Sequence, residues 1–165
     1  MTLSAQKDDF NKARNCCFRL LKIRDRSEKE IRTRLSQKKY SQEIINQTIQ
    51  FLTTSELLDD RQFTKKWIQA RLARPLGLKR IHFELKQKGI SDDLIREGLS
   101  QLDNTYREEE IVFSLIKKRM PRYRTLDPVK RRQRLFGYLA RRGFNPEIIN
   151  NGLKKFYKTE DTRNA

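Results

Sequence analysis

The fifteen residues Ile81-His-Phe-Glu-Leu85-Lys-Gln-Lys-Gly89-Ile90-Ser91-Asp-Asp-Leu94-Ile95 decide the fold. Ile81 and Leu85, four apart, lie on one face of a helix. Gly89 stands where that helix stops, since glycine takes the left-handed conformation after a helix without a Cβ penalty. Ser91 then offers its hydroxyl to the free amides of a new helix. Asp92 and Asp93 follow in the first turn, where the helix dipole favours negative charge.

The same stretch occurs twice more. Ile31-Arg-Thr-Arg-Leu35-Ser-Gln-Lys-Lys39-Tyr40-Ser41-Gln-Glu43-Ile44-Ile45 stands 50 residues upstream. Leu135-Phe-Gly-Tyr-Leu139-Ala-Arg-Arg-Gly143-Phe144-Asn145-Pro-Glu147-Ile148-Ile149 stands 54 residues downstream. Apolar pair, turn residue, cap and acid recur in each copy without a gap. Ser41, Ser91 and Asn145 read as helix caps, and Pro146 falls at a first helical position, where its missing N–H costs little. Lys39 replaces glycine in the first copy, so that turn is strained or built differently.

Upstream of each copy lies a further helical stretch. Phe10, Ala13, Cys17, Leu20 and Leu21 mark the first, Phe63 and Trp67 the second, and Ile111, Val112, Leu115 and Ile116 the third. Ser27 with Glu30 forms a capping box, and Asp59-Asp60 reads as another helix start. Phe63 and Trp67 are read as core, and the segment from Pro121 to Pro128 as the longest irregular connection. No stretch alternates with period two, so no sheet is predicted. The prediction is an all-α chain of three tandem three-helix repeats, 10–58, 59–106 and 107–157, with a polar, flexible tail at 158–165. Each repeat is too small to bury much by itself, so stacked repeats are expected to share a core in an elongated, curved array. That accounts for folding with only 36% hydrophobic residues.

The charge is uneven. The chain holds 38 Lys and Arg against 21 Asp and Glu in 165 residues, a net charge of +17. Residues 65–88 hold Lys65, Lys66, Arg71, Arg74, Lys79, Arg80, Lys86 and Lys88 against Glu84 alone, a net +7. Residues 117–142 hold Lys117, Lys118, Arg119, Arg122, Arg124, Lys130, Arg131, Arg132, Arg134, Arg141 and Arg142 against Asp127 alone, a net +10. Like charge at this density opposes compaction unless a polyanion or an acidic partner relieves it. A basic surface for nucleic acid or an acidic protein is therefore expected, made of Lys79, Arg80, Lys86, Lys88 and the bases of 117–142. Tyr123 and Tyr138 lie among these bases and could stack on unpaired bases of a strand. Tyr138 reads better as a core or boundary residue.

Catalytic chemistry has few candidates. Asp59-Asp60 are ordinary caps without a nuclease pattern beside them, His82 has no nucleophile arranged near it, and no glycine-rich phosphate loop occurs. No enzyme, cofactor or metal site is expected. Cys16 and Cys17 are adjacent, cannot form a normal disulfide, and read as reduced thiols of a cytoplasmic protein. No run of 18 or so apolar residues predicts a membrane span, and Met1–Lys12 does not read as a secretory signal.

The ordered set Arg26-Ser27-Glu28 with Glu30 and Leu35, Leu58-Asp59-Asp60 with Phe63, Gly77 with Arg80-Ile81, Glu84-Leu85, Lys88-Gly89-Ile90 and Arg141-Arg142-Gly143-Phe144 resembles the RecX regulatory proteins of bacteria. The resemblance spans about residues 10–157. Lys39-Tyr40 departs from the family's Gly-apolar pair. The resemblance implies a monomeric, cytoplasmic modulator of the RecA recombinase in DNA repair, recombination and the SOS response. Such proteins bind RecA and its filaments on single-stranded DNA and inhibit ATP hydrolysis, strand exchange and co-protease activity. The alternative is a basic DNA-binding protein that acts without RecA.

Overall fold

The structure is a computed structural model describing residues 3–102 and 106–164, with side chains for 6–102 and 106–159. Its elements in order are α1 (Leu3–Ile23), α2 (Glu28–Gln37), α3 (Gln42–Thr54), α4 (Asp60–Leu72), α5 (Leu78–Gln87), α6 (Asp92–Ser100), α7 (Glu108–Arg119), α8 (Pro128–Arg141) and α9 (Pro146–Asn164). Among the described residues there is no strand. A short 3-10 helix, Met120–Tyr123, follows α7, so the connection expected to be irregular is helical at its start. α9 runs on to Asn164, past Lys158, where the sequence predicts a tail to begin. The last residue of that tail, 165, lies outside the described residues.

Local chemistry explains the helix boundaries. Ser27 caps α2 by accepting from the Glu30 amide, and the Glu30 carboxylate accepts from the Ser27 amide in return. Ser41, Ser91 and Asn145 accept from Ile44, Leu94 and Glu147. Asp127 accepts from Val129 and Lys130 at 3.1 Å each, and Pro128 opens α8. Gly89 and Gly143 take φ values of 83° and 85°, and Lys39 takes 64°. The first turn is thus built like the other two, with lysine held in the left-handed region.

By packing, the chain divides into two compact units, residues 1–67 with 85–99 and residues 68–84 with 100–165. The division falls inside α4 and α5 rather than between repeats. In the first unit, Ala13 and Cys17 of α1 pack with Ile31 and Leu35 of α2 and with Ile44, Ile45, Ile49 and Leu52 of α3. In the second, Val112, Leu115 and Ile116 of α7 pack with Leu135 and Leu139 of α8 and with Ile149, Leu153 and Phe156 of α9. The apolar pairs that define the repeats, Ile31/Leu35, Ile81/Leu85 and Leu135/Leu139, are all fully buried.

A joint between successive repeats sits inside each unit, which is why the packing division cuts through the middle repeat. In the first unit, Ser27 Oγ donates to the Lys88 carbonyl at 2.7 Å, the Glu28 amide donates to Asp60 Oδ1 at 2.8 Å, and Lys29 lies over the Gly89 α-carbon. In the second, the Gly77 amide donates to the Arg142 carbonyl at 2.8 Å and the Leu78 amide to Glu108 Oε1 at 3.0 Å. There Arg80 lies over the Gly143 α-carbon and Gly77 lies against the Gly143 backbone. The two joints match position for position. The start of a second helix rests on the helix–turn–helix tip of the next repeat, and an acid at that repeat's first helical position accepts the free amide. Glycine at 89 and 143 therefore answers two demands, a left-handed backbone and close approach from above.

Candidate nucleic-acid interface

The second unit carries the dense basic window. α8 buries Leu135 and Leu139. With 3.6 residues per turn, Lys130, Arg134 and Arg141 fall on the opposite face of that helix, and all three are exposed. None has a side-chain hydrogen bond or ion pair among the described residues. Lys118, Arg122 and Arg124 are likewise exposed and without side-chain partners.

The remaining bases of this window are engaged. Arg119 donates to the Tyr123 hydroxyl at 3.4 Å and lies 4.5 Å from the Tyr138 ring centre. Arg142 lies 4.8 Å from the same ring and donates to the Pro75 carbonyl at 2.9 Å. Tyr138 is thus held between two guanidinium groups, and both tyrosines are half-buried against the core. The Tyr138 ring, occupied by these cations, is not open for stacking on a base. Arg131 donates to the carbonyls of Leu126 and Arg124 at 3.1 and 3.4 Å, bracing the segment before α8. Arg132 is exposed and reaches Asn150 at 3.5 Å, and Lys117 lies 4.6 Å from the Phe113 ring centre. Of the predicted residues upstream in this unit, Lys79 is exposed beside Glu108, whereas Arg80 pairs with Glu84 at 3.0 Å. Glu84 also pairs with Arg71 at 2.6 Å. Burial raises the Glu84 carboxyl, but the two guanidinium groups outweigh it and hold its pKa below the ordinary value.

In the first unit, Lys86 pairs with Asp92 at 3.0 Å. Lys88 has its Nζ 2.5 Å from Glu30 Oε1 and 5.1 Å from the Trp67 ring centre. Trp67 in turn stacks on Phe63 with ring centres 5.5 Å apart. Glu30 accepts from both Arg24 and Lys88; burial pushes its carboxyl up, but these bonds win and hold it at about 2. Lys88 is therefore built into a joint. Asp59 caps α4 by accepting from Arg61 and Gln62, while Asp60 points to the other repeat's amide, and burial raises its carboxyl. Glu108, which plays the same part in the second unit, is raised by burial as well. Among the described residues no three of His, Cys, Asp or Glu are grouped to hold a metal ion, and no helix is long and apolar enough to cross a membrane.

Residues 13–52, 59–99 and 107–153 match, in order, the first, second and third three-helix domains of RecX. The chain belongs to the RecX family. The regulatory protein RecX of Prosthecochloris aestuarii is 34% identical over 146 residues, covering 88% of this chain and 93% of that protein. That of Chlorobium phaeobacteroides is 34% identical over 152 residues, covering 92% and 97%. The crystal structure of RecX from Lactobacillus salivarius shares the fold, with a TM-score of 0.78 at 22% identity over 91% of this chain and 97% of that one.

Two features of this RecX chain were not found from the sequence. Asp60 and Glu108 act as acceptors for another helix, not only as acids at a helix start. A cleft of about 620 Å³ in the first unit is lined by Arg26, Lys29, Arg34 and Lys88 together with Glu30. Counting charge by window hides Arg26, Lys29 and Arg34, because Glu28 and Glu30 stand beside them in the chain. In three dimensions Glu28 is spent on Arg32, at 2.6 Å, and Glu30 on Arg24 and Lys88.

Proposed function

We propose that this RecX family member binds RecA and its filaments on single-stranded DNA, and inhibits ATP hydrolysis, strand exchange and co-protease activity without chemistry of its own. The observation that carries the reading is the set of exposed, unpaired bases of the second unit: Lys118, Arg122, Arg124, Lys130, Arg134 and Arg141. Charges left unpaired at this density keep their full Coulombic attraction for a polyanion, whereas Arg80, Lys86 and Lys88 have spent theirs internally. Family membership supports RecA as the protein partner. The contact surface is this unpaired set rather than every base of the two charged windows.

A titration of RecA's DNA-stimulated ATP hydrolysis tests the reading. Inhibition is expected below one protein per RecA monomer. Combined Lys130→Glu, Arg134→Glu and Arg141→Glu is expected to weaken inhibition at least tenfold while leaving the thermal transition in place. Unchanged ATP turnover at excess protein in moderate salt overturns the reading.

A further inference from the structure

Gly137 lies in the middle of α8, where glycine is among the least favourable residues. Its backbone is ordinary helix, so it is not required by a left-handed φ. Three other glycines of the second unit are explained by crowding. A Cβ at Gly77 or Gly143 would meet backbone of the neighbouring repeat, and one at Gly152 would come within 2.7 Å of Val112. A Cβ at Gly137 would meet only the tip of Arg141, at 3.3 Å, a flexible side chain that can move aside. Nothing among the described residues accounts for the glycine.

Its position does. At 100° per residue, Gly137 falls on the same strip of α8 as Lys130, Arg134 and Arg141, opposite Leu135 and Leu139. No acid occurs within α8. At Gly137, which is half-buried under the tip of Arg141, the strip carries no side chain, with a cation one turn before it, another one turn after it, and a third two turns before it. Glycine lets another backbone come within contact distance of its own. The cations specify that the approaching chain is anionic along its length.

We propose that this strip is where a phosphodiester backbone lies directly on α8, with Gly137 as the point of closest approach and Lys130, Arg134 and Arg141 on successive phosphates. The inference rests on the reading that the basic surface meets a nucleoprotein filament, and it assigns this strip to the nucleic acid rather than to RecA. Gly137 is a positioning residue: it offers no charge, only access.

The experiment uses the full chain with Gly137→Ala and Gly137→Gln. Binding to a fluorescein-labelled oligo(dT) is followed by polarisation without RecA, thermal unfolding by circular dichroism, and RecA ATP hydrolysis separately. Ala is expected to raise Tm by a few degrees, since it is the better helix former, yet to weaken oligonucleotide binding about threefold. Gln is expected to weaken it tenfold or more, with the net charge unchanged. Affinity that is unchanged or improved in both variants overturns the proposal. So does loss of RecA inhibition with oligonucleotide binding intact, because the strip then faces protein. A parent chain that never inhibits RecA refutes the regulatory reading alone, and the polarisation data still decide the role of Gly137.

Discussion

Lys39 and Gly143 share a left-handed backbone, at φ 64° and 85°, yet only one of them is glycine. At Gly143 the start of α5 presses on the α-carbon, and at Gly89 the start of α2 does the same; Lys39 is exposed. A side chain at Lys39 meets only the intrinsic cost of the conformation, about 1–2 kcal/mol. Lys39→Gly should therefore stabilise the protein by about 1 kcal/mol in urea unfolding. Gly143→Ala adds a clash to that cost and should destabilise it by more than about 2 kcal/mol. Glu30 gives a pH dependence. Its pKa falls from 4.5 to about 2 on folding, so its contribution is complete above pH 4.5 and drains away as pH falls towards 2. Glu30→Gln should flatten that part of an acid-unfolding curve. Burial, helped by the neighbouring Cys16, drives the Cys17 thiol up to about 12. Native Cys17 should stay unmodified by Ellman's reagent at pH 8, at which the unfolded chain reacts.

At the scale of elements, what was legible in the sequence is what is local. Apolar pairs four apart, caps and turn residues sit within a dozen residues of their partners, so the nine α-helices among the described residues could be anticipated, though not the 3-10 helix Met120–Tyr123. The joints could not. Asp60 accepts from an amide 32 residues back and Glu108 from one 30 residues back. In each case the acid looks like any other first-turn carboxylate. Asp60→Ala leaves the Glu28 N–H unsatisfied and should cost about 1–3 kcal/mol. Asp60→Asn keeps an acceptor and should cost much less, since burial already disfavours the charged form. The same division holds for the basic surface. Charge density was legible, and so was the near pair Arg80–Glu84, but Arg119 on Tyr138, Arg71 on Glu84 and Lys88 on Glu30 are committed across elements.

Over the whole molecule, +17 on 165 residues sets two opposite responses to salt. The Debye length falls from about 30 Å at 0.01 M to about 10 Å at 0.1 M, so added salt screens the repulsion among Lys118, Arg122, Arg124, Lys130, Arg134 and Arg141. Thermal stability should rise over that range. Oligonucleotide affinity should fall, with a log–log slope of about 0.7 per phosphate neutralised on a single strand. A chain whose Tm and DNA affinity move together with salt would contradict a surface of unpaired bases.

The matched joints also bear on how such a chain can grow. The first repeat supplies Ser27 and Glu28 as a plug, and the third supplies Glu108, Arg142 and Gly143 as a socket. Among the described residues the second alone owns both, with Asp60, Lys88 and Gly89 as socket and Gly77 and Leu78 as plug. It is the cassette that tandem duplication could copy and still leave every plug seated, so a four-repeat descendant would arise by doubling the middle.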